Sequence, residues 1–170
     1  MGIAGNFQLR PDEYRERGYS GYVEVAPLDG LALGVSSLIT HRDRDTVTLE
    51  ETWRQVHGGF ARWTPYEPLV LLTEWDYVFE SSRNHFYKRG LVSYLQADWQ
   101  PIRGMHFMVT GEANKVGSRE RRWSYGGWLS YAWFPLPHFD ERLDGIYHSL
   151  GSAAGRDGLF TLLLQGHVAL

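Results

Sequence analysis

Apolar and polar side chains alternate along nearly all of this chain, and this period of two constrains its fold most. Residues 69–80 are the clearest case: from Leu69 to Phe79 every second side chain is apolar or threonine, and the alternate positions from 70 to 80 include three carboxylates. Such alternation is typical of strands with one apolar and one polar face. Helical spacing is hard to find, so the sequence predicts an all-β fold.

We predict about ten strands joined alternately by short and longer connections. The predicted strands are 3–10, 19–26, 31–40, 47–63, 69–80, 87–99, 104–114, 121–133, 138–148 and 158–170. Tight turns are expected at 27–30, 64–68, 100–103 and 134–137, and longer polar loops at 11–18, 41–46, 81–86, 115–120 and 149–157. Strand 47–63 has the poorest pattern, and a glycine bulge at Gly58-Gly59 is one way to shift its register.

A tryptophan followed closely by proline recurs at three of the tight turns. The frame A-x-W-x-P occurs at Ala61–Pro65 and Ala97–Pro101, and Ala132–Pro135 is a compressed version. Proline cannot donate to a sheet ladder, so each copy is expected to end one strand before the next begins. A spacing of about 35 residues fits a hairpin with its loop, although solenoids and propellers have repeats of that length too.

Composition excludes several classes of protein and leaves one domain, residues 1–170. The chain has 17 basic and 20 acidic residues and a net charge of −3, which gives no electrostatic case for nucleic acid. It has no cysteine, which excludes disulfides and thiolate metal sites. No apolar run approaches the roughly 20 residues of a membrane helix. The first residues lack a basic region before a long apolar run, so no signal peptide is predicted.

The positions of the aromatic residues distinguish between the two kinds of barrel that such alternation allows. A soluble barrel turns its apolar side inward, whereas a membrane barrel turns it outward. Here aromatic side chains gather at both ends of the apolar faces, as in the headgroup girdles of membrane barrels. These residues are Trp63, Trp99 and Trp133 beside the short turns, and Tyr77, Phe79, Tyr87, Trp123, Tyr125 and Tyr147 at the other ends. Short turns on one side and longer loops on the other agree, with the turns periplasmic.

With these features the chain resembles the β-barrel outer-membrane proteins of Gram-negative bacteria, in their porin-like branch. Their last strand carries alternate apolar residues and ends in an aromatic that the barrel-assembly machinery reads. The matching residues here are Phe160, Leu162, Leu164, Val168 and Leu170. Gly166 interrupts the series, and Leu170 stands where phenylalanine is usual. The turn Trp99–Gly104 also looks like turns of large porin-like barrels.

The resemblance implies an antiparallel up-and-down transmembrane β-barrel in the bacterial outer membrane, without a cofactor. The chain would be a whole barrel of about ten strands or the closing section of a larger one. Its expected partners are outer-membrane lipid and lipopolysaccharide, the barrel-assembly machinery, and a protein partner or further copies of itself.

The polar sides of the strands would then face the lumen. The predicted pore-lining residues are Glu74, Asp76, Glu80, Lys88, Asp98, His106, Glu112, Asp140, Arg142, Asp144, His148 and His167, and Glu24 and Arg54 also point inward. We predict a passive diffusion channel with a mild preference for cations. The alternative is a non-conducting structural or partner-docking barrel whose charges pair into a plug. A soluble ligand-binding barrel is the third candidate.

Catalytic and metal sites receive little support from the sequence. Glu80 with His85, or Asp144 with His148, could activate water as in omptin-like outer-membrane proteases, but no complete set of two carboxylates and a histidine is evident. No motif marks a palmitoyl-transferase-like site, and the histidine spacing fits no known metal site. The run Arg119–Arg122 is most simply a solvated loop edge, and it would also suit lipopolysaccharide phosphates. The prediction is therefore neither an enzyme nor a metalloprotein.

Overall fold

The chain forms one antiparallel sheet in which every strand pairs with the next along the sequence. The computed structural model describes residues 2–5, 16–45, 49–84, 87–117, 123–152 and 155–168. The strands are β1 (Gly2–Gly5), β2 (Glu16–Leu28), β3 (Leu31–Arg42), β4 (Thr52–Tyr66), β5 (Leu69–Ser82), β6 (Tyr87–Ile102), β7 (Met105–Gly117), β8 (Ser124–Leu136), β9 (Phe139–Ser152) and β10 (Gly155–Val168). The all-β, up-and-down order predicted from the alternation is confirmed.

The sheet has two edges within the described residues. There β1 pairs only with β2, and β10 pairs only with β9. The short β1 covers only Glu16–Tyr19 of β2. No helix in the described ranges is long and apolar enough to cross a membrane.

Several predicted boundaries differ from the structure. The long loop expected at 149–157 is wrong, because β9 runs to Ser152 and β10 begins at Gly155, with Gly155 opposite Ser152. Glycine and serine in this segment are typical of a loop, but the backbone hydrogen bonds between two strands form whatever the side chains are. Strand β4 begins at Thr52 rather than 47. Of the predicted strand 3–10, residues 6–10 lie outside the described residues.

The tight turns share one backbone design built around proline. The strand register shifts between Val25 and Leu28, between Trp63 and Tyr66, between Trp99 and Ile102, and between Trp133 and Leu136. A proline lies inside each interval, where its missing N–H leaves the ladder interrupted. The repeated Trp-Pro frame therefore marks bulges just before the turns, and Val25–Leu28 is a fourth copy without tryptophan.

Consecutive turns are also joined to each other by backbone hydrogen bonds. Thr64 N donates to Gly30 O over 2.7 Å, and Phe134 N donates to Gly104 O over 2.7 Å. Gln100 N donates to Pro68 O over 3.0 Å in the same way. The donor is in each case the residue between the tryptophan and the proline, so one short motif both ends a strand and links its turn to the preceding one.

His138 occupies a turn position at which two of the three related turns have glycine. Its φ is 68°, while Gly30 and Gly104 have φ values of 76° and 80°. Because a side chain is strained in this left-handed region, we expect His138→Gly to raise the free energy of unfolding by about 1 kcal/mol. Urea unfolding of the folded protein measures this difference.

Gly104→Ala is the matched control for that turn substitution. It should lower the free energy of unfolding, because its Cβ would lie 3.0 Å from Phe134 O at a φ of 80°. Equal unfolding midpoints for His138→Gly and the wild type would contradict the expected strain.

Burial in this sheet is inverted relative to a water-soluble protein. Among the described residues the only buried hydrophobic side chains are Ala32 and Ala132, whereas Thr40, Thr110, Ser130 and Asp144 are each 4% exposed. Large apolar side chains are exposed instead, with Leu129 at 64% and Leu164 at 77%. We call the face that carries Thr110, Ser130 and Asp144 the inner face, and the face that carries Leu129 and Leu164 the outer face. A single sheet shields one face by curling towards it, as strand twist favours.

The pair Gly58-Gly59 does not form the bulge considered from the sequence. Strand β4 pairs without a register shift from Thr52 to Trp63, with Gly58 opposite Asp76. The reason for glycine is a close approach on the inner face: a Cβ at Gly58 would collide with the Asp76 carboxylate. Gly58 thus leaves the space in which the Asp76 side chain lies flat along the sheet.

Candidate functional site

The strand register puts every predicted pore-lining residue on the inner face. Asp144 is opposite Ser130, Asp98 is opposite Met108, and Glu74 is opposite Tyr94. Because side chains alternate along a strand, those pairings determine on which face every other side chain of these strands lies. The inner face therefore carries Glu74, Asp76, Glu80, Lys88, Asp98, His106, Glu112, Asp140, Arg142, Asp144, His148 and His167. Glu24 and Arg54 lie on it as well.

A chain of ion pairs runs across the inner face where the strands reach the longer connections. Lys88 Nζ lies 3.1 Å from Glu80 Oε1, and Arg54 Nη2 lies 3.0 Å from Glu80 Oε2. Arg54 Nη1 is 3.7 Å from Glu16 Oε1. Arg42 then bridges Glu16 at 2.6 Å and Asp45 at 2.7 Å. We call this set the rim ion chain: Glu16, Arg42, Asp45, Arg54, Glu80 and Lys88.

The rim ion chain is electrically balanced and runs along the sheet. Three cations meet three anions, and the members on β2 to β6 come one from each strand. Sequence reasoning assigned Arg54, Glu80 and Lys88 to the polar side but missed Glu16, Arg42 and Asp45. Those three stand at strand ends inside or beside predicted loops, where alternation gives no signal.

Neutralising Glu80 tests how much the rim ion chain stabilises the sheet. Glu80 is 14% exposed, and its cation partners Arg54 and Lys88 are 36% and 40% exposed. Because water screens such partners, we expect Glu80→Gln to lower the free energy of unfolding by only about 1 kcal/mol. Urea unfolding at low and high salt measures the difference, which should shrink at high salt.

Glu141→Gln is the control for that substitution, since it removes an exposed acid from the outer face of β9. It should leave the unfolding midpoint nearly unchanged. A Glu80→Gln effect that is as small as the control, or that does not depend on salt, would contradict a stabilising role for the rim ion chain.

Each predicted inner-face histidine lies beside one carboxylate. His106 Nδ1 is 3.1 Å from Asp98, and His167 Nδ1 is 2.9 Å from Asp140. His148 Nδ1 is 3.7 Å from Glu112, and its ring stacks on Trp128 at 6.4 Å with 9° between the planes. Over the described residues, no group of three or more histidine, aspartate or glutamate side chains has a metal-binding arrangement.

The structure does not bring together the catalytic pair considered at Asp144 and His148. Asp144 accepts hydrogen bonds from Arg142 Nε at 3.0 Å and from the Ser130 hydroxyl. His148 has Glu112 as its carboxylate neighbour instead. The other pair considered, Glu80 with His85, cannot be compared because His85 lies outside the described residues; Glu80 itself belongs to the rim ion chain.

Glu74 and Asp76 differ from the other inner-face acids because neither has a partner among the residues that the structure describes. No described residue forms an ion pair or hydrogen bond with either carboxylate. Their cross-strand neighbours are uncharged: Phe60 and Tyr94 beside Glu74, and Gly58 and Val92 beside Asp76. Both acids line a cavity of about 550 Å³ that reaches β2 and β3. The middle of the inner face thus has a net negative region with space beside it.

The predicted girdle residues lie on the outer face wherever the register defines their side. Trp63, Trp99 and Trp133 each stand three residues before a turn-side strand end, and each is between 38% and 47% exposed. Tyr77, Phe79 and Tyr87 come near the other end of β5 and β6. Tyr125 and Tyr147 share that face, and Trp123 precedes β8, stacked on Tyr125 at 6.3 Å.

The residues of the predicted assembly signal follow the outer face of β10. Phe160, Leu162, Leu164 and Val168 are all at least 67% exposed. Leu170 lies outside the described residues, as does the run 119–122.

Comparison with models of protein families, with curated proteins and with solved structures finds no match to this chain.

Proposed function

We propose that this chain forms the wall of a β-barrel channel in a bacterial outer membrane and lets small solutes diffuse passively. The inverted burial carries the proposal: the exposed outer face is rich in leucine, valine and aromatic residues, while the shielded face is polar. In water such an apolar face would mark a large interaction surface or an aggregation liability. In a bilayer it is the face that lipid requires.

Lipid also requires that the sheet edges be paired. Unpaired N–H and C=O groups along β2 and β10 cannot remain exposed to hydrocarbon, where each costs several kcal/mol as an order of magnitude. Closure of the two edges on each other would give a narrow barrel of about ten strands. Closure through further strands would give a wider pore. Both arrangements keep the same inner face.

The pattern of ion pairs supports an open lumen rather than a plug. The rim ion chain and the contacts of the three inner-face histidines run along the wall: apart from Arg42 with Asp45, which lies just beyond β3, each joins side chains on strands one or two apart. A plug would need charges that project into the lumen and pair across it. Glu74 and Asp76, which have no partner among the described residues, instead give the wall a local negative potential, which favours cations.

Single-channel recording of the protein folded in detergent and inserted into a planar bilayer tests this proposal. Heat-modifiable gel mobility should first establish that a folded barrel is present. We expect stable, weakly cation-selective current steps, small for closure by ten strands and larger for a wider barrel. A folded protein that inserts but never conducts would favour the plugged, partner-docking barrel. A protein that stays monodisperse without detergent would favour the soluble ligand-binding barrel.

A further inference from the structure

The outer face carries one basic cavity among its aromatic side chains. At the end of β5, β6 and β7 that is remote from the tight turns, a cavity of about 760 Å³ is lined by aromatic rings and two cationic side chains. We call it the basic groove and define it by Tyr77, Phe79, Tyr87, Arg89, Lys115 and Trp123. We propose that the basic groove binds the phosphate headgroup of a membrane lipid; this rests on the proposed membrane barrel.

The register brings the two cations of the basic groove within reach of one ligand. Arg89 is opposite Gly117, and Leu91 is opposite Lys115. Arg89 and Lys115 are therefore diagonal neighbours on the same face of adjacent strands, a separation that long side chains span. Arg89 is also directly opposite Phe79 on the other neighbouring strand.

Neither cation is neutralised by the part of the chain that the structure describes. Arg89 and Lys115 are both exposed, and no described residue forms an ion pair or hydrogen bond with either. The adjacent Lys88 behaves differently, because it points to the inner face and contacts Glu80 at 3.1 Å. Two cations that have no partner among the described residues and lie among aromatic rings would attract an anion from outside the chain.

The rings indicate what kind of anion would fit. Phe79 and Tyr87 lie 6.1 Å apart between ring centroids and form an apolar wall beside the cations. A lipid with a phosphomonoester headgroup complements both parts: its phosphate carries about −1.5 to −2 charges at neutral pH, and its glycerol and acyl chains pack on rings, which favour the membrane interface. Inorganic phosphate would match only the cations.

Lipid selectivity of the folded protein tests the basic groove. The probe is phosphatidic acid, with phosphatidylcholine as the reference, titrated into detergent-folded protein and followed by native mass spectrometry. We expect the wild type to bind phosphatidic acid about tenfold more tightly than phosphatidylcholine, and Arg89→Gln with Lys115→Gln to abolish that preference. The single variant Lys115→Gln should retain part of it.

Arg103→Gln is the matched control because Arg103 is an exposed cation at the opposite end of the same β6–β7 hairpin. It should keep the wild-type preference. Equal affinity of the wild type for the two lipids, or equal loss in Arg103→Gln, would overturn the inference. Displacement of phosphatidic acid by millimolar inorganic phosphate would overturn it in favour of a free-phosphate site. Failure of the proposed membrane barrel is distinguishable, because the wild type would then show no heat-modifiable mobility and no insertion into vesicles, whereas a barrel that inserts but does not conduct leaves the lipid test intact.

Discussion

Replacing Leu95 with arginine is expected to lower the free energy of unfolding in a bilayer by about 2–4 kcal/mol. Leu95 lies near the middle of β6 on the outer face and is 58% exposed. In the proposed membrane barrel, an arginine there would have to keep its charge in hydrocarbon or distort the bilayer to reach water. The same substitution at an exposed site of a water-soluble protein changes stability by only about 0.5 kcal/mol. The size of the loss in free energy of unfolding therefore shows whether lipid or water surrounds the outer face.

Gln96→Arg is the control for Leu95→Arg, because Gln96 is the next residue on β6 and points to the inner face. A water-filled lumen should accept the charge with little change in stability. Reversible urea unfolding of both variants in thin-bilayer vesicles measures the difference. If Leu95→Arg lowers the free energy of unfolding no more than Gln96→Arg does, the outer face is not in lipid.

Replacing both Glu74 and Asp76 with lysine is expected to reverse the ion selectivity of the proposed channel. Each substitution changes the local charge by two units, so the pair changes it by four at a place without neutralising neighbours. Fixed charge on a pore wall sets the local concentration of mobile ions. The reversal potential in a potassium chloride gradient should therefore change sign from cation-selective to anion-selective.

Glu141→Lys changes the charge on the outer face by two units, as each of the two inner-face substitutions does, and should leave the reversal potential at its wild-type value. Increasing salt should weaken the selectivity of both the wild type and the lysine variant, because salt screens exposed charges. Channels that stay cation-selective in the double lysine variant would rule out Glu74 and Asp76 as the source of selectivity.

Local pattern was sufficient for the strands and for the side on which most residues lie. In 69–80 and 87–99 the alternation is regular, and the register puts the predicted polar residues on one face. Loop boundaries were less predictable, because Gly155 and Ser152 are small residues that suit a turn or a ladder equally well. Backbone pairing decided between them.

The sequence alone could not predict which charged side chains pair with each other. Glu16 and Arg42 are 26 residues apart and meet only because β2 and β3 pair with a particular register. The same is true of Arg54 and Glu80. Gly58 suggested a bulge on its own, yet its role is to leave space for Asp76 from the next strand.

The sequence by itself determined the period of two, the proline-containing turns and the division into an apolar and a polar face, since each depends on residues a few positions apart. Tertiary structure alone decided which charges pair: Glu80 meets two cations, whereas Glu74 and Asp76 meet none within the described part of the chain. It also brought Arg89 and Lys115 together on the outer face. The physical reason is that strand register, set by the whole ladder, fixes distances between residues that are remote along the chain.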